Sequence, residues 1–146
     1  MKCLTLTDTE APPVSTASEV HLPLGLLGFE QLTDYLLVAN PGEEPFFWLQ
    51  VKDEGALAFI VVNPFLVAHD YRPDLPRADV DFLGITDPED VALFNIVTLH
   101  SGGRATVNLK GPIAVNRHTL IGKQVVLANA AEYEVEHPLP VSAVDA

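Results

Sequence analysis

The sequence predicts an all-β fold: a small antiparallel β-barrel-like or sandwich domain carrying one or two short helical turns. Three observations predict it. Short runs rich in Val, Ile, Leu and Phe recur along the chain between Pro, Gly, Asn and Asp, which is the pattern of strands joined by turns. The step Ser101-Gly102-Gly103 separates two such runs, and its glycines can take the positive φ angles a tight hairpin requires. No ten-residue stretch has a helical apolar period, and there are no heptads or internal repeats.

Taken in order, strands are expected at residues 19–22, 35–39, 46–51, 58–62, 92–100, 104–110, 113–116 and 124–128. The run from Leu57 to Val62 does not alternate, so it is expected to be buried on both faces. Phe46, Phe47 and Trp48 are consecutive, and a strand cannot turn three successive rings to one side. Either both faces there are covered or one ring is exposed. In the run after the glycines, Thr106, Asn108 and Lys110 alternate with Val107 and Leu109, as in a half-buried strand. Gly28-Phe-Glu-Gln-Leu suggests one helical turn. Asp87-Pro-Glu-Asp suggests another turn of helix or 3-10 helix, with an acid to cap it, Pro at its first position and acids in its first turn. Several short strands in one domain must bury two sets of faces, which favours a barrel or sandwich.

The chain has 146 residues, enough for one core. Residues 1–19 read as a polar, mobile N-terminal extension, 20–137 as the single β domain, and 138–146 as a C-terminal tail. No apolar run approaches the roughly 20 residues of a membrane helix. The N-terminal stretch lacks the apolar core of a secretion signal, and the single cysteine suits a reducing compartment, so a cytoplasmic location is expected. Net charge is −12; residues 1–100 hold 16 Asp or Glu against 4 Lys or Arg, whereas residues 101–146 hold 4 of each. Arg104, Lys110, Arg117 and Lys123 fall in a stretch without acids. Such a surface repels nucleic acid phosphates and matches a basic protein partner; the competing reading is that the acidic charge serves solubility alone.

Motifs for catalysis are missing from the sequence. There is no phosphate loop, no G-x-S-x-G elbow and no H-E-x-x-H. Successive histidines are 48, 31, 18 and 19 residues apart, without the close pairing of a local metal site. The paired acids Glu43-Glu44, Asp53-Glu54 and Glu89-Asp90 lie where turns are expected and read as solvated turn residues. Around Phe46 the charged neighbours are acidic, which does not suit stacking on nucleic acid bases. The chain is read as a binding protein without catalytic residues, metal or cofactor.

Several blocks, in order, resemble the FliW family of flagellar assembly factors. They are Leu24-Gly-Leu-Leu-Gly-Phe-Glu, Phe46-Phe-Trp-Leu-Gln, Leu57-Ala-Phe-Ile-Val-Val-Asn-Pro-Phe, Asp70-Tyr, Asp87-Pro-Glu-Asp-Val, Val107-Asn-Leu-Lys-Gly-Pro-Ile-Ala-Val-Asn and Gly122-Lys-Gln-Val-Val-Leu. Together they span about residues 20–133. Two departures stand out: an N-terminal stretch longer than the family's, and Leu27 where the family's early block commonly has Pro. The resemblance implies a compact β protein that binds flagellin in the cytoplasm. It also implies binding to CsrA, an RNA-binding translational repressor, which frees flagellin messenger RNA from repression.

Charge and loop position, independently of the resemblance, select Asp70, Asp74, Asp87, Glu89 and Asp90 as candidate partner-binding acids, with Tyr71 as a candidate anchor. Asp87 has a competing role as the cap of its turn. The protein is expected to be monomeric alone and to bind no nucleic acid or membrane directly. The alternative is a small-molecule-binding or hydrolytic β-barrel with an apolar pocket, for which His69, Asp70 and His100 are the candidates.

Overall fold

The computed structural model describes residues 4–5, 17–39, 42–43, 45–52 and 57–139. In chain order the elements are β1 (Leu4–Thr5), β2 (Ala17–His21), β3 (Asp34–Val38), β4 (Phe46–Val51), β5 (Ala58–Val62), β6 (Asp74–Leu75), α1 (Arg77–Leu83), β7 (Val91–Leu99), β8 (Ala105–Val107), β9 (Ile113–Asn116), β10 (Gly122–Gln124) and β11 (His137–Pro138). Among the described residues, β1 pairs only with β6, and the other nine strands form one antiparallel sheet. Its main order is β10-β9-β7-β5-β4-β3-β2, with β8 and β11 continuing from the second half of β7. The sheet curls into a half-barrel, and among the described residues a single bridge links its two ends. There, His21 bridges Ile121 in parallel, and the His21 amide donates to the Leu120 carbonyl at 3.0 Å.

Both faces of the sheet are covered, and β7 shows why. Its first five residues are all buried, so alternation sends side chains to two separate cores. Ala92 and Phe94 join Val20, Leu22, Tyr35, Leu37, Leu49, Val61, Ile113 and Val115 inside the curl. Val91, Leu93 and Val97 join the outer core, which is roofed by Phe65, Tyr71, Leu75, Leu83, Ile85, Leu109, Val125, Leu127 and Leu139. β5 divides in the same way, Val61 facing inward and Val62 outward, which explains its continuous apolar run. The rings of β4 follow suit: Phe47 packs on the inner core and Phe46 on the outer one, both half-buried. Each large apolar side chain buried this way contributes about 1.5–3 kcal/mol.

Asn95 is the polar exception on the outer face of β7 and is fully buried. Its Nδ2 donates to the Asn108 carbonyl at 2.8 Å and lies 3.4 Å from the Tyr71 hydroxyl. That hydroxyl donates to the Leu109 carbonyl at 2.6 Å. The roof over the outer core is therefore pinned to the central strand by hydrogen bonds as well as by packing. Burial raises the Tyr71 phenol well above its ordinary range, so it remains a donor.

Several local expectations change. The strand expected over 104–110 ends at Val107, because Asn108 Oδ1 accepts the amides of Lys110 (2.9 Å) and Gly111 (3.0 Å) and turns the chain. Thr106 is buried rather than solvated, its hydroxyl 2.9 Å from His100 Nε2. The strand expected over 124–128 pairs only as far as Gln124. Val125 and Leu127 are buried beyond it in the outer core. At 28–32 there is no helical turn: Gly28 takes φ +89°, and Leu26 bridges Phe29 in a tight reversal. The turn expected after Asp87 is a 3-10 turn, Pro88–Asp90. Helix α1 was not expected. It is seven residues long and ends at Gly84, which takes φ +68° as a left-handed cap.

The terminal segments expected at 1–19 and 138–146 lie partly outside the described residues, which omit 1–3, 6–16 and 140–146. Within them, Leu4–Thr5 pairs with Asp74–Leu75, β2 begins at Ala17, and Leu139 is buried in the outer core.

Removing the Tyr71 hydroxyl leaves the Leu109 carbonyl without its donor in a buried site. Tyr71→Phe is therefore expected to cost about 1–3 kcal/mol. In urea unfolding this appears as a lower midpoint with an unchanged slope.

Candidate partner-binding surface

The acids singled out in the sequence fall into two groups at opposite ends of the segment that contains α1. The first lies around residues 70–74. Asp70 is exposed, and Asp74 is half-buried in β6. The Asp74 backbone is held on both sides: its amide donates to Asn129 Oδ1 at 3.0 Å, and its carbonyl accepts from the Ala128 amide at 2.8 Å. Asn129 Nδ2 also donates to the Arg72 carbonyl at 2.9 Å, so one side chain fixes the course of the loop. Tyr71 does not anchor a partner from this loop. Its ring is 1% exposed and packs against Phe65 and Tyr133 in the outer core.

The second group is built on the Pro88–Asp90 turn. Asp90 is its keystone: its carboxylate accepts from the Asp87 amide (3.1 Å), from the Thr86 hydroxyl (3.0 Å) and from His118 Nε2 (2.9 Å). These donors, His118 foremost, hold the Asp90 carboxyl down to about 2. The turn is in turn locked to the sheet, since the Arg117 amide donates to the Asp90 carbonyl at 2.8 Å. Asn116 completes the corner, with Nδ2 donating to the Leu83 carbonyl (2.8 Å) and Oδ1 accepting the His118 amide (2.8 Å). Asp87 and Glu89 are exposed on this rigid base. Asp90 supplies the carboxylate on which the turn converges, and it forms a capping box with Asp87, the residue expected to cap the turn. The part played by Asp90 was not revealed by reading acids by loop position.

Part of the basic stretch is compensated. Lys123 forms an ion pair with the buried Asp79 and lies 5.8 Å from the centre of the Phe82 ring. A groove of about 330 Å³ lies on the outer face of the sheet. Phe46, Trp48, Ile60, Val97, Leu99 and Leu139 line it, and Glu43 at its rim accepts from Trp48 Nε1 at 2.9 Å. His69, Asp70 and His100 do not line it. His69 and Asp70 are exposed in a turn, and His100 is held to Thr106 at the β7–β8 hairpin. Among the described residues no cluster of three or more His, Cys, Asp or Glu could hold a metal ion. No described helix is long and apolar enough to cross a membrane.

A curled antiparallel half-barrel, filled on its concave side and roofed on its convex side by loops and one helix, defines the class: a small all-β module. The chain belongs to the FliW family, whose profile, described as "FliW protein", matches residues 5–139. The match reaches into the stretch read as an N-terminal extension. A flagellar assembly factor FliW of Alkaliphilus metalliredigens is 36% identical over 120 residues, covering 81% of this chain and 74% of the relative. One of Leptospira interrogans serogroup Icterohaemorrhagiae serovar Lai is 35% identical over 134 residues, covering 90% and 89%. The crystal structure of a flagellar assembly factor FliW superposes with a TM-score of 0.73 at 32% identity over 84% of both chains.

The Asp90 geometry has a pH signature. A carboxyl held below its ordinary 3.8 contributes stability that is complete above that value and is lost as pH falls toward about 2. His118→Ala removes the largest cause, so Asp90 is expected to titrate closer to 3.8. Carbon-detected NMR titration of the Asp90 carboxyl measures the shift.

Proposed function

We propose that this protein is a cytoplasmic flagellar assembly factor that binds flagellin and, when free of it, binds and antagonises CsrA, relieving repression of flagellin messenger RNA translation. The observation that carries this reading is the likeness to flagellar assembly factors along almost the whole chain, in sequence and in fold. The physical chemistry of the surface supports it. An RNA-binding regulator presents cations toward phosphates, and a chain of net charge −12 attracts such a surface while repelling RNA itself. Asp87 and Glu89 on their hydrogen-bonded turn, together with Asp70 and Asp74, are the acids proposed to meet it.

Switching needs no chemistry in this account. If the two partners bind in a mutually exclusive way, each lowers the pool of protein available to the other, and the coupling is reciprocal. Export of flagellin then releases the assembly factor to its second partner. No cofactor or catalytic group takes part, and the protein acts as a monomer between encounters.

The test offers purified flagellin and purified CsrA separately to the purified chain and measures each affinity by calorimetry. Both are expected to bind. The triple variant Asp70→Lys, Asp87→Lys, Glu89→Lys is expected to bind CsrA at least tenfold more weakly at low salt while keeping its fold, because all three side chains are exposed. Asp90 is left in place because its carboxylate holds the turn. If the unaltered chain retains neither protein, the reading is wrong; if the triple variant binds CsrA unchanged, the acids are not the contact.

A further inference from the structure

The loop between β2 and β3 holds large apolar side chains out in water. Leu24 is 52% exposed, Leu27 67% and Phe29 39%, and Val135, from the far end of the chain, is 55% exposed beside them. Leu27, Phe29 and Val135 line one groove of about 280 Å³ with Leu26, Phe59 and Ile96. Soluble proteins seldom leave large apolar side chains gathered in one concave place without a use.

The loop is built to keep this shape. Gly25 takes φ +66°, and a Cβ there would come within 2.4 Å of the Phe29 carbonyl oxygen, so no side chain fits. The Leu22 carbonyl accepts the Gly25 amide at 2.8 Å, and the Leu26 carbonyl accepts the Phe29 amide at 2.7 Å. Across the groove, Gln124 Oε1 accepts the Leu27 amide at 2.9 Å, while Gln124 Nε2 donates to the Gly111 carbonyl at 3.1 Å. Phe29 stands edge-on to Phe59 of β5, ring centres 5.2 Å apart. Leu27 is therefore displayed on a backbone pinned to the sheet, and little ordering entropy remains to be lost when something covers it.

Charge selects the occupant. The charged residue lining the groove is Glu136. Exposed Glu30 follows Phe29 in sequence, and exposed Glu134 precedes Val135. Glu30 Oε2 accepts the Gly28 amide at 3.0 Å, which lowers its pKa and keeps it charged. No Lys or Arg is among the described lining residues. We infer that this groove is a second docking surface, distinct from the Asp87–Glu89 turn, and that it takes a segment of a protein partner carrying leucine-like side chains flanked by lysine or arginine. The aliphatic side chains cover Leu27, Phe29 and Val135, and the cations meet Glu30, Glu134 and Glu136.

The inference stands apart from the identity of the partners, and its test does not use them. Nitrogen-15-labelled full-length chain is titrated with an amphipathic peptide of leucine and lysine, and separately with its leucine–glutamate counterpart. Binding of the lysine peptide is expected to shift amides at Leu27, Phe29, Phe59, Ile96, Val135 and Glu136 first. The double variant Leu27→Ser, Val135→Ser is expected to bind it at least tenfold more weakly, with amide positions elsewhere unchanged. Equal binding of the glutamate peptide would overturn the charge assignment and with it the proposal. Shifts confined to Asp87–Asp90, or unaltered affinity in the double variant, would overturn the site. Shifts at the groove that follow protein concentration without peptide would make a second copy of the chain the occupant, and would equally overturn it.

Discussion

The structure depends on one constraint: the central strand β7 must be buried on both sides. A curled sheet has an inside that its own strands can fill, and here side chains of β2, β3, β4, β5, β7 and β9 fill it. Its outside would otherwise show water the apolar half of every strand, and β7 and β5 carry too many apolar residues for that. The loops, α1 and the C-terminal segment therefore form a roof, and the long excursion between β5 and β7 exists to build it. Tyr71 and Asn95 fix its position by joining it to β7 through buried hydrogen bonds whose partners cannot be replaced by water.

What faces solvent follows from that roof. Segments held flat against a sheet have short turns at their margins, and those turns carry the side chains left over from packing. The Pro88–Asp90 turn displays acids because Asp90, His118 and Arg117 clamp it to the end of β9. The loop after β2 displays leucines because Gly25, Gln124 and Phe59 hold it from three directions. Both are tied to the sheet by hydrogen bonds or packing, which suits a protein proposed to recognise other polypeptides by surface complementarity.

Much of the fold was legible because period and turn chemistry agreed. β4, β5 and β9 fall where apolar runs end in Lys, Pro or Asn, and Gly102 and Gly103 adopt the positive φ that their place in the hairpin demanded. Helix α1 was hidden because a seven-residue helix presents barely two turns of period, leaving only Pro76 before it and Gly84 after it as signals. Val125 and Leu127 misled in the other direction, since burial under a roof looks like strand burial in a sequence. Tyr71 could not be told from a surface anchor, because the carbonyl that receives its hydroxyl lies 38 residues away. The Leu27 display did carry a signal: a loop of leucines and glycines with almost no polar residue is unlike ordinary solvated turns. Its curvature back onto Gln124 was not readable from spacing.

Native-state hydrogen exchange followed residue by residue tests the two-sided burial of β7 most directly. Amides from Leu93 to Val97 are expected to exchange only through global unfolding, and more slowly than those of the edge strand β2. Exchange of the β7 amides through local opening, ahead of β2, would contradict the account, because a strand covered on one face alone would behave that way.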